Sequence, residues 1–143
     1  MESIAVDPMD CLFCKIVAGK IPATKVFEDA HSIAFMDINP GTEGHCLVVP
    51  KTHAENIFDI APDSLAETAK SVQKVAIACK KALGVEGVNI VQSSGAVAFQ
   101  TVFHIHFHIL PRRPGDTVRV PWVPEGADRG ELERTADKIR QAL

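Results

Sequence analysis

Three histidines at alternate positions, His104, His106 and His108, punctuate the otherwise apolar run 103–111. Successive strand side chains point to opposite faces. The spacing therefore predicts one strand over 102–110, with Phe103, Ile105, Phe107 and Ile109 on an oily face and a row of imidazoles on the other. Same-face neighbours on a strand stand roughly 6–7 Å apart, so the first and third rings lie about 13 Å from each other. Two of them have the reach to share a metal ion, and three do not. Protonating adjacent imidazoles together costs mutual repulsion, which makes the row a poor choice for a merely structural surface. A neutral imidazole can instead attack a phosphate ester or phosphoramidate and form a phosphoryl-histidine that water later cleaves, while a cationic neighbour stabilises the developing charge. The preceding segment, Ser93 to Thr101, offers small residues and hydroxyls whose backbone N–H groups are candidates for holding an anion.

A second set of donors is Cys11-x-x-Cys14. Alone, this spacing suits zinc, thiol redox exchange or packing. Zinc needs two further nitrogen or sulfur ligands, and the candidates are His31, His45, His53 and the three histidines of the strand. Redox exchange usually comes in a thioredoxin-like βαβ setting, which the flanking sequence does not offer. Cys46 in a strand pattern and Cys79 on an apolar helix stripe read as small core residues.

Few elements are needed to position these groups. Residues 10–19 carry a capping Asp10 and a Gly19 stop, the marks of a short helix. Segments 24–28 and 32–37 predict a hairpin, and 45–50 a third strand after the Asn39-Pro40-Gly41 turn. Leu65, Ala69, Val72, Val75, Cys79 and Leu83 recur every three or four residues between Pro62 and Gly84, which predicts a long helix. Segment 88–93 adds a strand, and Leu132, Ala136 and Ile139 mark a terminal helix over 131–143. Five strands mostly adjacent in sequence, with these helices, make an α+β fold on an antiparallel sheet.

The 143 residues, 46% hydrophobic, suffice for one domain with a real core, expected over 10–143 behind a disordered extension of residues 1–9. A formal net charge of −3 with no Lys/Arg-rich block argues against nucleic acid or an anionic membrane as the main partner. The N terminus lacks the cationic and apolar regions of a signal peptide, and no apolar run approaches the roughly 20 residues that span a bilayer. The expected location is the cytoplasm, where the four cysteines favour metal or free thiol over disulfides. Trp122, set among Pro121, Val123 and Pro124, is expected to be a packing or dimer-contact residue.

With these residues in view, the chain resembles the histidine-triad family, whose His-φ-His-φ-His-φ-φ signature is matched from His104 to Leu110. The likeness extends over Cys11-Leu12-Phe13-Cys14, Ile21-Pro22-Ala23, Phe35-Met36-Asp37-Ile38-Asn39-Pro40, Gly44-His45, Val49-Pro50-Lys51-Thr52-His53 and Gln100-Thr101-Val102-Phe103. It is strongest to the nucleotide-binding branch that cleaves nucleoside phosphoramidates, which implies a homodimer acting on a purine nucleotide. By that resemblance His106 is the nucleophile, His108 helps the leaving group depart, and His45 assists proton transfer. Phe13, Ile16, Phe35 and Ile38 resemble the cleft for the base, and Asp37 the carboxylate for ribose hydroxyls. Ser93, Phe99, Gln100 and Thr101 fall in the segment beside the phosphate. Ser93 stands where the family usually has Asn or Gln, Phe99 where it usually has Gly, and Thr101 in place of Ser. Members with this CxxC resemble zinc proteins, which implies a structural zinc held by Cys11, Cys14, His53 and His104. Cleavage of dinucleoside polyphosphates and a nucleotide-binding regulatory or scaffold role remain as alternatives.

Overall fold

Short apolar runs build the centre of the sheet, buried at nearly every position because both of its faces are covered. The computed structural model describes residues 10–119 and 125–143, so the expectations for residues 1–9 and for Trp122 lie outside the described residues. The chain runs α1 (Leu12–Val17), β1 (Lys25–Glu28), β2 (Ser32–Met36), β3 (Cys46–Pro50), α2 (Pro62–Leu83), β4 (Gly87–Gln92), β5 (Phe107–Arg112) and α3 (Arg129–Ala142). The strands pair antiparallel in the order β1-β2-β3-β5-β4, the α+β fold that the sequence predicts. Ile33, Phe35, Leu47 and Val49 point to one face and pack with Cys11 and Phe13 of the α1 region. Their alternates Ala34, Cys46 and Val48 point to the other and pack with Val72 and Val75 of α2 and with Ile109. No helix among the described residues is long and apolar enough to cross a membrane.

Local signals set most element ends. Pro62 opens α2, and Gly84 closes it at φ 65° with its N–H on the Lys80 carbonyl, a left-handed cap that glycine reaches without strain. The buried stripe of α2 departs from the predicted one: Ala69 is exposed, whereas Thr68 and Ser71 are buried. Those hydroxyls tolerate burial because each is paired, Thr68 Oγ1 donating to the Ser64 carbonyl and Ser71 Oγ meeting Ser32 Oγ. At α1 the N-cap is Cys11 and not Asp10, its sulfur accepting the Cys14 N–H at 3.3 Å.

The largest departure concerns the histidine run. β5 begins only at Phe107, so His104 and His106 precede the strand, and the three histidines do not share one regular strand face. The ladder ends there because its partners are taken. Ile105 N–H bonds the Ala54 carbonyl, the Pro50 carbonyl meets the His104 ring, and the His104 carbonyl meets the His106 ring. Period-two alternation holds beyond that point: His108 lies opposite Leu47, on the α1 face, while Phe107 and Ile109 lie opposite Val48 and Cys46 on the α2 face.

Gly44 sits just before His45 at φ +89°, and a Cβ there would meet Leu83 Cδ1 and, at 3.2 Å, Pro111 Cγ. Gly44→Ala is expected to cost about 1–3 kcal/mol through left-handed strain and crowding. Urea unfolding checks it: the midpoint falls while the slope stays the same.

Candidate active site and metal centre

Four donor atoms from distant parts of the sequence converge at the start of α1. Cys11 and Cys14 come from the helix N terminus, His53 from the loop after β3, and His104 from the segment before β5, with all four donors within 4.8 Å of one another. His104 Nδ1 stands 3.4 Å from Cys11 Sγ, 3.5 Å from Cys14 Sγ and 3.2 Å from His53 Nδ1, and Cys14 Sγ stands 3.3 Å from His53 Nδ1. Tetrahedral zinc, with bonds of about 2.0 Å to nitrogen and 2.3 Å to sulfur, requires edges of about 3.3 Å between nitrogens and about 3.5 Å between nitrogen and sulfur. The cluster has that size. His104 is fully buried, and its Nε2–H donates to the Pro50 carbonyl at 2.8 Å, which leaves the Nδ1 lone pair aimed at the cluster. Burial, with Cys11 adding, pushes the Cys14 thiol up to about 11. A cation at this point would reverse that penalty by binding the thiolate.

The next histidine reverses the use of its ring. His106 Nδ1 lies 2.8 Å from the His104 carbonyl, which can only accept, so Nδ1 carries the proton and Nε2 keeps its lone pair. The ring is 5% exposed and packed edge-on against Phe13, with centroids 5.2 Å apart. Burial holds its pKa below the ordinary histidine value, keeping the imidazole neutral. His104 thus joins the two centres, its ring to the cysteines and its main chain to the ring of His106.

His108 and His45 form a directed chain of hydrogen bonds. Gly41 N–H donates to His45 Nδ1 at 3.0 Å, so the His45 proton resides on Nε2. That N–H donates to His108 Nδ1 at 2.9 Å, with Asp37 Oδ2 further off at 3.4 Å. The remaining proton of His108 is then on Nε2, with the His106 ring centroid 5.0 Å away. Asp37, His45 and His108 are near enough to hold a metal. The Gly41 bond argues for a proton relay instead, because a metal on His45 Nε2 would drive the ring proton to Nδ1, against another donor. Burial holds both rings below the usual histidine pKa, His108 at about 4 with His106 and His45 adding to the effect. A relay from His45 through His108 predicts that His45→Ala lowers kcat about tenfold and leaves KM nearly unchanged. Steady-state kinetics with a poor leaving group checks this.

A cleft of about 230 Å³ opens beside these rings, lined by Phe13, Ile16, Phe35, Asp37 and Ile38 together with His106 and His108. All five positions expected to hold the nucleoside therefore share one cavity with the expected nucleophile. Ile21, Pro22 and Val102 also line it. The sequence pattern had them only as matched positions without a role. Ser93, Phe99, Gln100 and Thr101 do not line this cleft. Gln100 is buried and committed, its Nε2 donating to the Glu55 and Val102 carbonyls and its Oε1 accepting Gly95 N–H. The N–H groups of Ala98, Phe99 and Gln100 are spent within the turn, on Ala96 and Gly95 carbonyls. Phe99 takes φ 71°, the left-handed region, and is 87% exposed. A glycine would hold that turn without strain, which is the physical content of the unusual residue here.

Over residues 18–115 the sequence matches the HIT domain. The chain belongs to the HIT family. This HIT protein is 46% identical over 104 residues to an adenosine 5'-monophosphoramidase of Schizosaccharomyces pombe, a match covering 73% of this chain and 75% of that one. It superposes on a HIT family protein from Bacillus subtilis with a TM-score of 0.88 at 38% identity, covering 94% of this chain and 97% of that one. A zinc-bound histidine triad family protein from Mycobacterium smegmatis is 40% identical, with a TM-score of 0.75 and coverage of 96% and 100%.

Proposed function

We propose that this HIT protein hydrolyses nucleoside 5'-phosphoramidates, such as adenylated amines, through a covalent nucleotidyl group on His106, and that Cys11, Cys14, His53 and His104 hold a structural zinc. The observation that carries the catalytic reading is the 2.8 Å contact from His106 Nδ1 to the His104 carbonyl, which leaves Nε2 as a free lone pair at the cleft wall. The relative named as an adenosine 5'-monophosphoramidase supports the bond type, and the zinc-bound relative supports the metal.

In this reading a purine base lies against Phe13, Ile16, Phe35 and Ile38, and Asp37 accepts from the ribose while its Oδ1 also receives Asn39 N–H. His106 Nε2 attacks phosphorus, the P–N bond breaks, and the amine departs with the proton of His108 Nε2, while His45 passes its Nε2 proton to His108 Nδ1 and regains one from solvent, a relay that runs in reverse in the second step. His45 Nε2–H, on His108 Nδ1, holds that ring so its proton faces the leaving group. Water then attacks phosphorus, giving its proton to His108, and the P–N bond to His106 breaks to release the nucleoside monophosphate. Zinc supplies no step: bound, it fixes the ring of His104 and so the carbonyl that orients His106. A cytoplasmic homodimer belongs to the same proposal. Edge strand β4 and the neighbouring α2 leave Ile90 and Ile77 exposed, which supports sheet-to-sheet pairing and is checked by sedimentation.

The test sets adenosine 5'-phosphoramidate beside diadenosine tetraphosphate at equal concentration, with acid-free quenching and peptide mass mapping. Faster P–N cleavage and adenylylated His106 support the proposal. Faster cleavage of the tetraphosphate favours a polyphosphate hydrolase, and binding without either cleavage or adduct favours a regulatory role.

A further inference from the structure

Sulfur is distributed unevenly in the described residues. Cys11 and Cys14 sit at the cluster above, and every other sulfur-bearing residue, namely Met36, Cys46 and Cys79, lines one cavity of about 320 Å³ on the opposite face of the sheet. Val26, Phe27, Val75, Ala82 and Leu83 wall this space between α2 and the strands, and its lining is almost wholly apolar. Cys46 Sγ and Cys79 Sγ stand 3.8 Å apart although 33 residues separate them. Met36 lies directly opposite Cys46 in the β2–β3 register, where facing Cβ atoms are about 5 Å apart and a flexible thioether can swing toward the thiols.

We propose that Cys46, Cys79 and Met36 form a binding site for a thiophilic d10 cation, Cu(I), distinct from the Cys/His cluster. Metal–thiolate bonds of about 2.3 Å place two sulfurs on one ion about 3.8–4.0 Å apart, which the pair already satisfies. Two thiolates and a thioether in an apolar pocket are the soft donor set that selects Cu(I), while Mg²⁺, Ca²⁺ and Mn²⁺ require oxygen ligands that the cavity does not supply. On binding, both thiols release their protons to solvent and no electron is transferred. Burial, reinforced by Cys79, raises the Cys46 thiol to about 12, so only a cation with a strong bond to thiolate displaces that proton. Lys74 on the cavity rim offsets the net negative charge of the resulting complex.

Zinc-loaded protein, titrated anaerobically with Cu(I) as its bicinchoninate complex and then desalted, tests this. About one copper per subunit is expected with zinc retained, and a sulfur-only shell by X-ray absorption. Cys46→Ser and Cys79→Ser are expected to weaken copper binding by about 100-fold or more and Met36→Leu by about tenfold, with unchanged zinc content. Zinc content and thermal melting verify folding. Should Cys46→Ser unfold, Cys79→Ser, at a half-buried helix position, decides the matter. The proposal is overturned if copper displaces zinc one for one, if the serine variants retain copper as the parent does, if the parent retains none, or if copper leaves only a Cys46–Cys79 disulfide by mass.

Discussion

His106→Ala is expected to lower turnover of adenosine 5'-phosphoramidate by about four orders of magnitude or more and to abolish the covalent adduct, because the lone pair that attacks phosphorus is gone. KM should change by only a few-fold, since the base cleft formed by Phe13, Ile16, Phe35 and Ile38 survives. The pH profile identifies the same group. Burial holds His106 and His108 below the ordinary histidine value, the latter at about 4. Turnover is thus level at neutral pH and is lost on acidification below the ordinary histidine range as the nucleophile takes up a proton. Stability follows the same sign. In the unfolded chain these histidines titrate near 6.5, so between about pH 6.5 and 4 the unfolded state binds more protons and folding weakens on acidification. A parent-like rate in His106→Ala, or an acid limb at or above pH 7, would sink the assignment.

Strands β2 and β3 were legible as short apolar runs between turns, but a sheet covered on both sides buries nearly every position, so which of Ile33, Ala34, Phe35, Leu47 and Val48 faces α1 and which faces α2 left no period in the sequence. Cys11, Cys14, His53 and His104 were legible as a set only through family resemblance. Their sequence separations of up to 93 residues are closed by the tertiary fold and leave no local periodicity. What the sequence could not convey was the late start of β5. Alternating His and apolar residues dictate a strand only if the backbone keeps its ladder partners, and here two carbonyls, of Pro50 and His104, are given to imidazoles instead. The same diversion makes the histidines chemically distinct: one presents Nδ1 and the next Nε2. Gln100 misled in the opposite way. Its polarity suggests a ligand contact, but the loop consumes its hydrogen-bonding groups to hold Gly95 and Glu55 in place.

Removing the metal is expected to damage both the fold and the nucleophile, and by separable amounts. Protein purified without chelator should carry about one zinc per subunit by elemental analysis, and Cys14→Ser should carry less than about a tenth of that. A site that is filled at about 1,000 times its dissociation constant adds about 4 kcal/mol to folding, which for a chain of this length is a drop of roughly 10–15 °C in melting temperature on depletion. The functional loss arises because His104 serves both centres. Its Nδ1 meets Cys11, Cys14 and His53, and its carbonyl 2.8 Å from His106 Nδ1 fixes the attacking tautomer. Freed of the metal, the segment carrying that carbonyl loses its anchor on the α1 side. At temperatures where the depleted protein stays folded, kcat is therefore expected to fall at least about tenfold with KM little changed, and zinc should restore it. Full kcat in folded, zinc-free protein would break the link between the two centres, and an unchanged melting temperature would remove the metal from the account of stability.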